Sequence, residues 1–344
     1  MGLTVHTKVE GLPAAQEQAL RSLAAIIHAA LEHLAQEQEI PDVEVTVVVA
    51  GDFASEVRAI VRQQGDGSDA QFSTERIGGV VVGKCIALND DFSKQLVVID
   101  GTGWIDVDPA AQAQSIASLA HELAHVVLDR ARHASGALDG VPANPYNGVD
   151  MAREIAKTAA AEFRADLVAN AVLRVLAGTS DSDGVTRPLT IYDLCADGHC
   201  DELRRTLDAV VHPGWPDTVQ RYREHHMTLP QLWEEIASST GGVFNLLAHG
   251  EAHAHAGSAS RPLETLRAHR GVELYLGPAW QALEDAITTE AGILPALSAT
   301  CAYEQHIAEQ GGRAILDMWA RLGLTVEVDR RDGRFALWVG EPQR

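Results

Sequence analysis

Two imidazoles one turn apart on a strongly apolar helix are the feature that most limits what this chain can fold into. In "LAHELAHVVLDR", His121 and His125 are accompanied by Ile116, Leu119, Leu123, Val126 and Leu128. Residues at i and i+4 share a helix face, so both imidazoles turn the same way while the helix buries most of its remaining surface. Any fold built round this helix leaves the pair half-buried or gives both rings one partner, such as a metal ion. The short string alone does not choose between these.

The residues nearby favour the ion. Glu122 lies about 100° round the helix from His121 at 3.6 residues per turn, where a carboxylate reaches a water on the metal without ligating. That is the place of a general base. A catalytic zinc takes three protein ligands and keeps one position open, so a third ligand is required. Glu162, in "AAAEFRADLVAN" on the following helix, is the candidate, with Glu154 its rival. Asp166 is on the same face as Glu162 and can accept a hydrogen bond from the outer nitrogen of a ligating histidine. Such an i, i+4 carboxylate pair repels on a bare helix. Glu154 has no acidic residue four positions later, so the pairing favours Glu162.

The segments round these two helices predict the organisation. Leu20, Leu23, Ile27, Leu31 and Leu34 are spaced for an amphipathic helix over residues 13–38. "VEVTVVVAG" has the β-branched density of a buried strand, and "SEVRAIVRQQ" reads as a short helix. "GGVVVGKCIALND" and "KQLVVID", joined by the turn-like "NDDFS", complete a small sheet. Asp108 before Pro109 predicts a helix start and a helix over 109–133, and Asp150 caps a second over 150–178. After the polar "GTSDSDGVTRP" the chain reads as several helices, a loose segment "HGEAHAHAGSASRP", and a terminal hairpin turning at Asp332-Gly333.

A formal net charge of -21 argues against a nucleic-acid backbone as partner, because that binding needs clustered Lys and Arg. The opening "MGLTVHTKVEG" has no basic stretch followed by an apolar one, and no run is long enough for a membrane span. A cytoplasmic protein is expected. Cys85, Cys195, Cys200 and Cys301 are too few for a disulfide framework. "CADGHC", with His199 inside, is not followed by a second cysteine pair and reads as two ordinary reduced cysteines.

HELAH at 121–125 followed by Glu162-Phe163-Arg164-Ala165-Asp166 resembles the HExxH and ExxxD pattern of the gluzincin zinc metallopeptidases. The resemblance implies that His121, His125 and Glu162 bind one zinc, that Glu122 is the general base, and that Asp166 supports a ligating histidine. It also implies a small sheet beside the active-site helix whose edge strand pairs with an extended substrate. An oxyanion donor from outside the two helices is implied as well, for which Tyr146, His225, His226, His249, His253 and His255 are candidates, each read as a surface or loop residue. The E-x-x-A-D form is similar to that of membrane-associated gluzincins and of small regulatory peptidases from phage-immunity regions. The likeness covers residues 10–178; the second half resembles nothing recognised.

The expected fold is therefore α+β. Residues 1–178 form a zincin-like, minimal gluzincin half with a small sheet and two long metal-binding helices. Residues 179–344 form a mainly helical lobe ending in a β-hairpin. The expected activity is zinc-dependent hydrolysis of peptide bonds in a peptide or protein, without nucleic acid or membrane as partner. The alternative is a zincin-like binding or regulatory protein whose zinc is structural or occluded.

Overall fold

A computed structural model of the chain describes residues 3–10, 28, 39–64, 75–76, 79–80, 83–101, 109–138, 147–176, 178–180, 186–188, 190–256, 261–289, 294–328 and 335–341. The helix expected over 13–38 lies outside the described residues apart from His28, which is helical. So do Asp108, Tyr146 and the hairpin turn at Asp332-Gly333.

Strands β1 (Leu3–Glu10), β2 (Val43–Ala50), β3 (Gly83–Ala87) and β4 (Lys94–Asp100) form a sheet in the order β1-β2-β4-β3. β1, β2 and β4 run parallel, whereas β3 is antiparallel to β4. The antiparallel pair needs only a tight turn, while a parallel pair needs a crossover. That turn is the expected "NDDFS": Asn89 Nδ2 donates to Ser93 Oγ at 2.9 Å, and Asn89 Oδ1 accepts from Lys94 N at 3.0 Å. The passage from β2 to β4 carries α1 (Phe53–Gln64). β1 has no counterpart among the sequence expectations.

The valine run of β2 follows from its central place. Val45, Val47 and Val49 pack on one side with α2 (Pro109–Ala134), and Val48 and Ala50 pack on the other with Phe53 and Val57 of α1. A strand buried on both faces reads as a continuous apolar run rather than an alternation. α2 presents Ala117, Ala120, Leu123, Ala124 and Val127 to the first core, joined there by Ala165, Val168 and Val172 of α3 (Gly148–Leu176). Burying each Leu or Val side chain contributes roughly 1.5–3 kcal/mol. Arg130 fastens the far end of α2: its Nη1 donates to Asp91 O at 2.7 Å and its Nε to Asp42 O at 3.2 Å.

The chain forms two compact units, residues 1–139, 164–196 and 292–301, and residues 140–163, 197–291 and 302–344. The boundary expected near residue 178 falls inside the first unit, and α3 passes from the second to the first between Phe163 and Arg164. Beyond α3 the chain is mostly helical, with α4 (Ile191–Thr206), α5 (Gly214–Arg223), α6 (Leu229–Ala256), α7 (Gly277–Ile287) and α8 (Leu297–Arg321). It ends in the expected hairpin of β5 (Leu324–Val328) and β6 (Phe335–Val339). In the second unit Trp233 meets Trp319 edge-on at 5.1 Å, and Trp319 Nε1 donates to Thr240 Oγ1 at 3.1 Å. The whole is a mixed α+β protein, mostly helical, with small sheets. Among the described residues no helix is long and apolar enough to cross a membrane.

One expectation is corrected here. The segment from His249, read as loose, is the last part of α6 as far as Ala256. Its Gly and His content weakens the helical pattern, but Glu251 holds it in place: the buried carboxylate accepts from Leu263 N at 2.9 Å and from Arg261 Nε at 2.7 Å. Gly250 serves the same packing, because a side chain there would collide with the His199 ring.

Candidate metal centre

α2 and α3 share a buried polar contact in the first unit. His121 Nδ1 donates to Asp166 Oδ1 at 2.7 Å, with the Asp166 residue only 4% exposed. A histidine that donates from Nδ1 keeps Nε2 as its lone-pair nitrogen. That lone pair faces His125, whose Nε2 is 3.0 Å away, with the two rings at 76° to each other. In a tetrahedral zinc site with Zn–N near 2.1 Å, ligand nitrogens stand about 3.4 Å apart. The pair is therefore within a few tenths of an ångström of the spacing that two ligands of one ion would take.

The position of Glu162 follows from α3 itself, which is unbroken from Gly148 to Leu176 and sets Glu162 one turn before Asp166. His121, His125 and Glu162 are one grouping of His and Glu side chains that could hold a metal ion. Two imidazoles and one carboxylate are a donor set that suits zinc and leaves a position open. Glu154, the rival ligand, instead forms an ion pair with Lys157 one turn along.

Asp166→Asn keeps the shape but removes the charge that orients His121, and metal affinity of this grouping is expected to fall about 10- to 100-fold. Competition against a chromophoric chelator reads the change, and unaltered affinity would remove Asp166 from the site.

Beside the helix, β3 and β4 are joined to α2 by a fully used amide. Gln95, 1% exposed, donates from Nε2 to Val126 O at 2.9 Å and to Phe92 O at 3.1 Å. Its Oε1 accepts from Cys85 Sγ at 3.2 Å. Burial pushes the Cys85 thiol well above its ordinary range, with Asp129 and Glu122 adding to the effect, so the sulfur stays protonated and serves as a donor.

The remaining histidines divide by environment. His225 and His226 are exposed after α5, and His226 pairs with Glu224 at 3.5 Å. His255 is exposed on α6, its ring centroid 6.1 Å from that of Phe163. His253 is buried on α6, which corrects its reading as a surface or loop residue. His249 is also helical, and within the second unit its Nε2 comes to 3.8 Å from Glu162 Oε2. Sequence alone offers no sign of that approach, because the two residues are far apart along the chain and belong to different helices. His199 Nε2 donates to Leu246 O at 3.0 Å, and Cys200 is half-buried on α4. The side chain of Cys195 lies outside the described residues.

No family model, no curated protein and no solved structure matches the chain.

Proposed function

We propose that this chain is a zinc-dependent metallopeptidase of gluzincin type, with a zincin-like fold in its first half, that hydrolyses peptide bonds of a peptide or protein substrate. The observation that carries the reading is the convergence of the His121 and His125 Nε2 atoms at 3.0 Å while Asp166 occupies the opposite nitrogen of His121. Glu162 supplies the third ligand from the neighbouring helix.

When bound, zinc supplies Lewis acidity towards a carbonyl and lowers the pKa of a coordinated water towards about 7. Glu122 takes a proton as the water oxygen attacks the amide carbon, and it returns that proton to the nitrogen as the C–N bond breaks. Asp166 holds His121 in the tautomer that presents Nε2. The sheet beside α2 offers an outer strand, β3, whose backbone suits pairing with an extended peptide.

The test is a peptide-library digest of the purified full chain followed by mass spectrometry. Cleavage that stops on chelation and returns when zinc is restored is expected. A zinc-loaded chain that cleaves nothing would leave the binding or regulatory alternative, and cleavage indifferent to chelation would overturn the zinc-dependent mechanism.

A further inference from the structure

β3 approaches the helix of the proposed site more closely than a side chain on it would allow. At Gly83 a Cβ would lie 2.5 Å from Glu122 Cγ, 2.6 Å from its Oε1 and 2.8 Å from its Cδ. Real Cβ contacts essentially never fall below 3.0 Å. The bare backbone of Gly83 thus lies along the length of the Glu122 side chain. Glycine weakens a strand, and inside one it often marks a place where something must come close.

Two features make this contact exacting. The nearest atom is Cγ rather than the end of the side chain, so turning the carboxylate does not relieve a clash. Relief requires rotation about χ1, and on a helix χ1 has essentially two wells, so the carboxylate would jump rather than drift. Retreat of the strand is opposed as well. Cys85, two residues along β3, is tied through buried Gln95 to Val126 O, one turn beyond Glu122 on α2.

We propose that Gly83 is a positioning residue for Glu122: by presenting no side chain, it selects the conformation in which that carboxylate serves the site. The inference rests on the reading of Glu122 as a general base, but the contact can be tested separately from catalysis.

The experiment is a double-mutant cycle on the full chain, with Gly83→Ala, Glu122→Ala and both together, read first as thermal midpoints. Gly83→Ala lowers the midpoint by roughly 2–6 °C when Glu122 is present, since overpacking is relieved only by forcing a rotamer. In the Glu122→Ala background the same change has room and shifts the midpoint by less than about 1 °C, because alanine also stiffens the unfolded chain. If Gly83→Ala alone does not fold and the double variant does, the coupling is established in its strongest form. Equal shifts in both backgrounds would overturn the proposal.

The second readout separates positioning from mere packing. Gly83→Ala retains the zinc content of the wild type by elemental mass spectrometry and, on any peptide the wild type cleaves, loses about 100-fold in kcat with KM little changed. Cleavage at the wild-type rate would overturn the proposal even if midpoints are coupled. Coupled midpoints in a chain that cleaves nothing would uphold the Gly83–Glu122 contact as the selector of that conformation and sink the peptidase reading instead.

Discussion

Elemental mass spectrometry of the wild-type chain, purified without added metal, is expected to find about one zinc per molecule, and none in His121→Ala or Glu162→Ala. Each substitution leaves two ligands where three are needed to hold the ion with a position open. His121→Ala also strips Asp166 of its 2.7 Å partner. Binding to the folded state alone stabilises it, so chelation should lower the wild-type thermal midpoint and leave both variants unmoved. Circular dichroism on all three chains guards against reading misfolding as lost affinity. Wild-type protein that takes up no zinc on incubation with the metal would return His121 and His125 to two imidazoles on an apolar helix. Zinc retained in Glu162→Ala alone would move the third ligand elsewhere.

The second large effect belongs to Glu122. Glu122→Gln keeps the size and shape of the side chain lying against Gly83, so the fold and the zinc content stay as in the wild type. An amide cannot accept the proton of an attacking water, and kcat for peptide cleavage is expected to fall about 10²- to 10⁴-fold. Loss of zinc in this variant would instead make Glu122 a ligand or a support for one. An unchanged rate would show that the base lies elsewhere. A peptide-binding signal that persists unaltered in a chain without turnover would favour the binding alternative.

Much of the first unit is legible along the chain because it rests on local rules. The start of α2 at Pro109 and its extent follow from a proline tolerated at the first helical turn and from a sustained apolar period. β2 and β4 are visible as valine-rich runs, and "NDDFS" as the turn before β4. β1 escapes notice because a parallel partner is joined by a crossover rather than by a turn signal. The end of α6 is misread for a different reason: Gly250 and the histidines depress local helix propensity, while Glu251, Arg261 and the packing of His199 restore it from outside the segment.

The candidate site divides in the same way. Sequence by itself determined that His121, Glu122 and His125 share one helix and that Glu162 and Asp166 share one face of the next, because helical spacing is set by neighbours in the chain. Only the tertiary structure decided that Asp166 takes the Nδ1 of His121 and that Gly83 lies against Glu122. Contacts between elements depend on how close two backbones come and on which buried groups must be satisfied. Neither quantity is carried by the spacing of residues along a single helix.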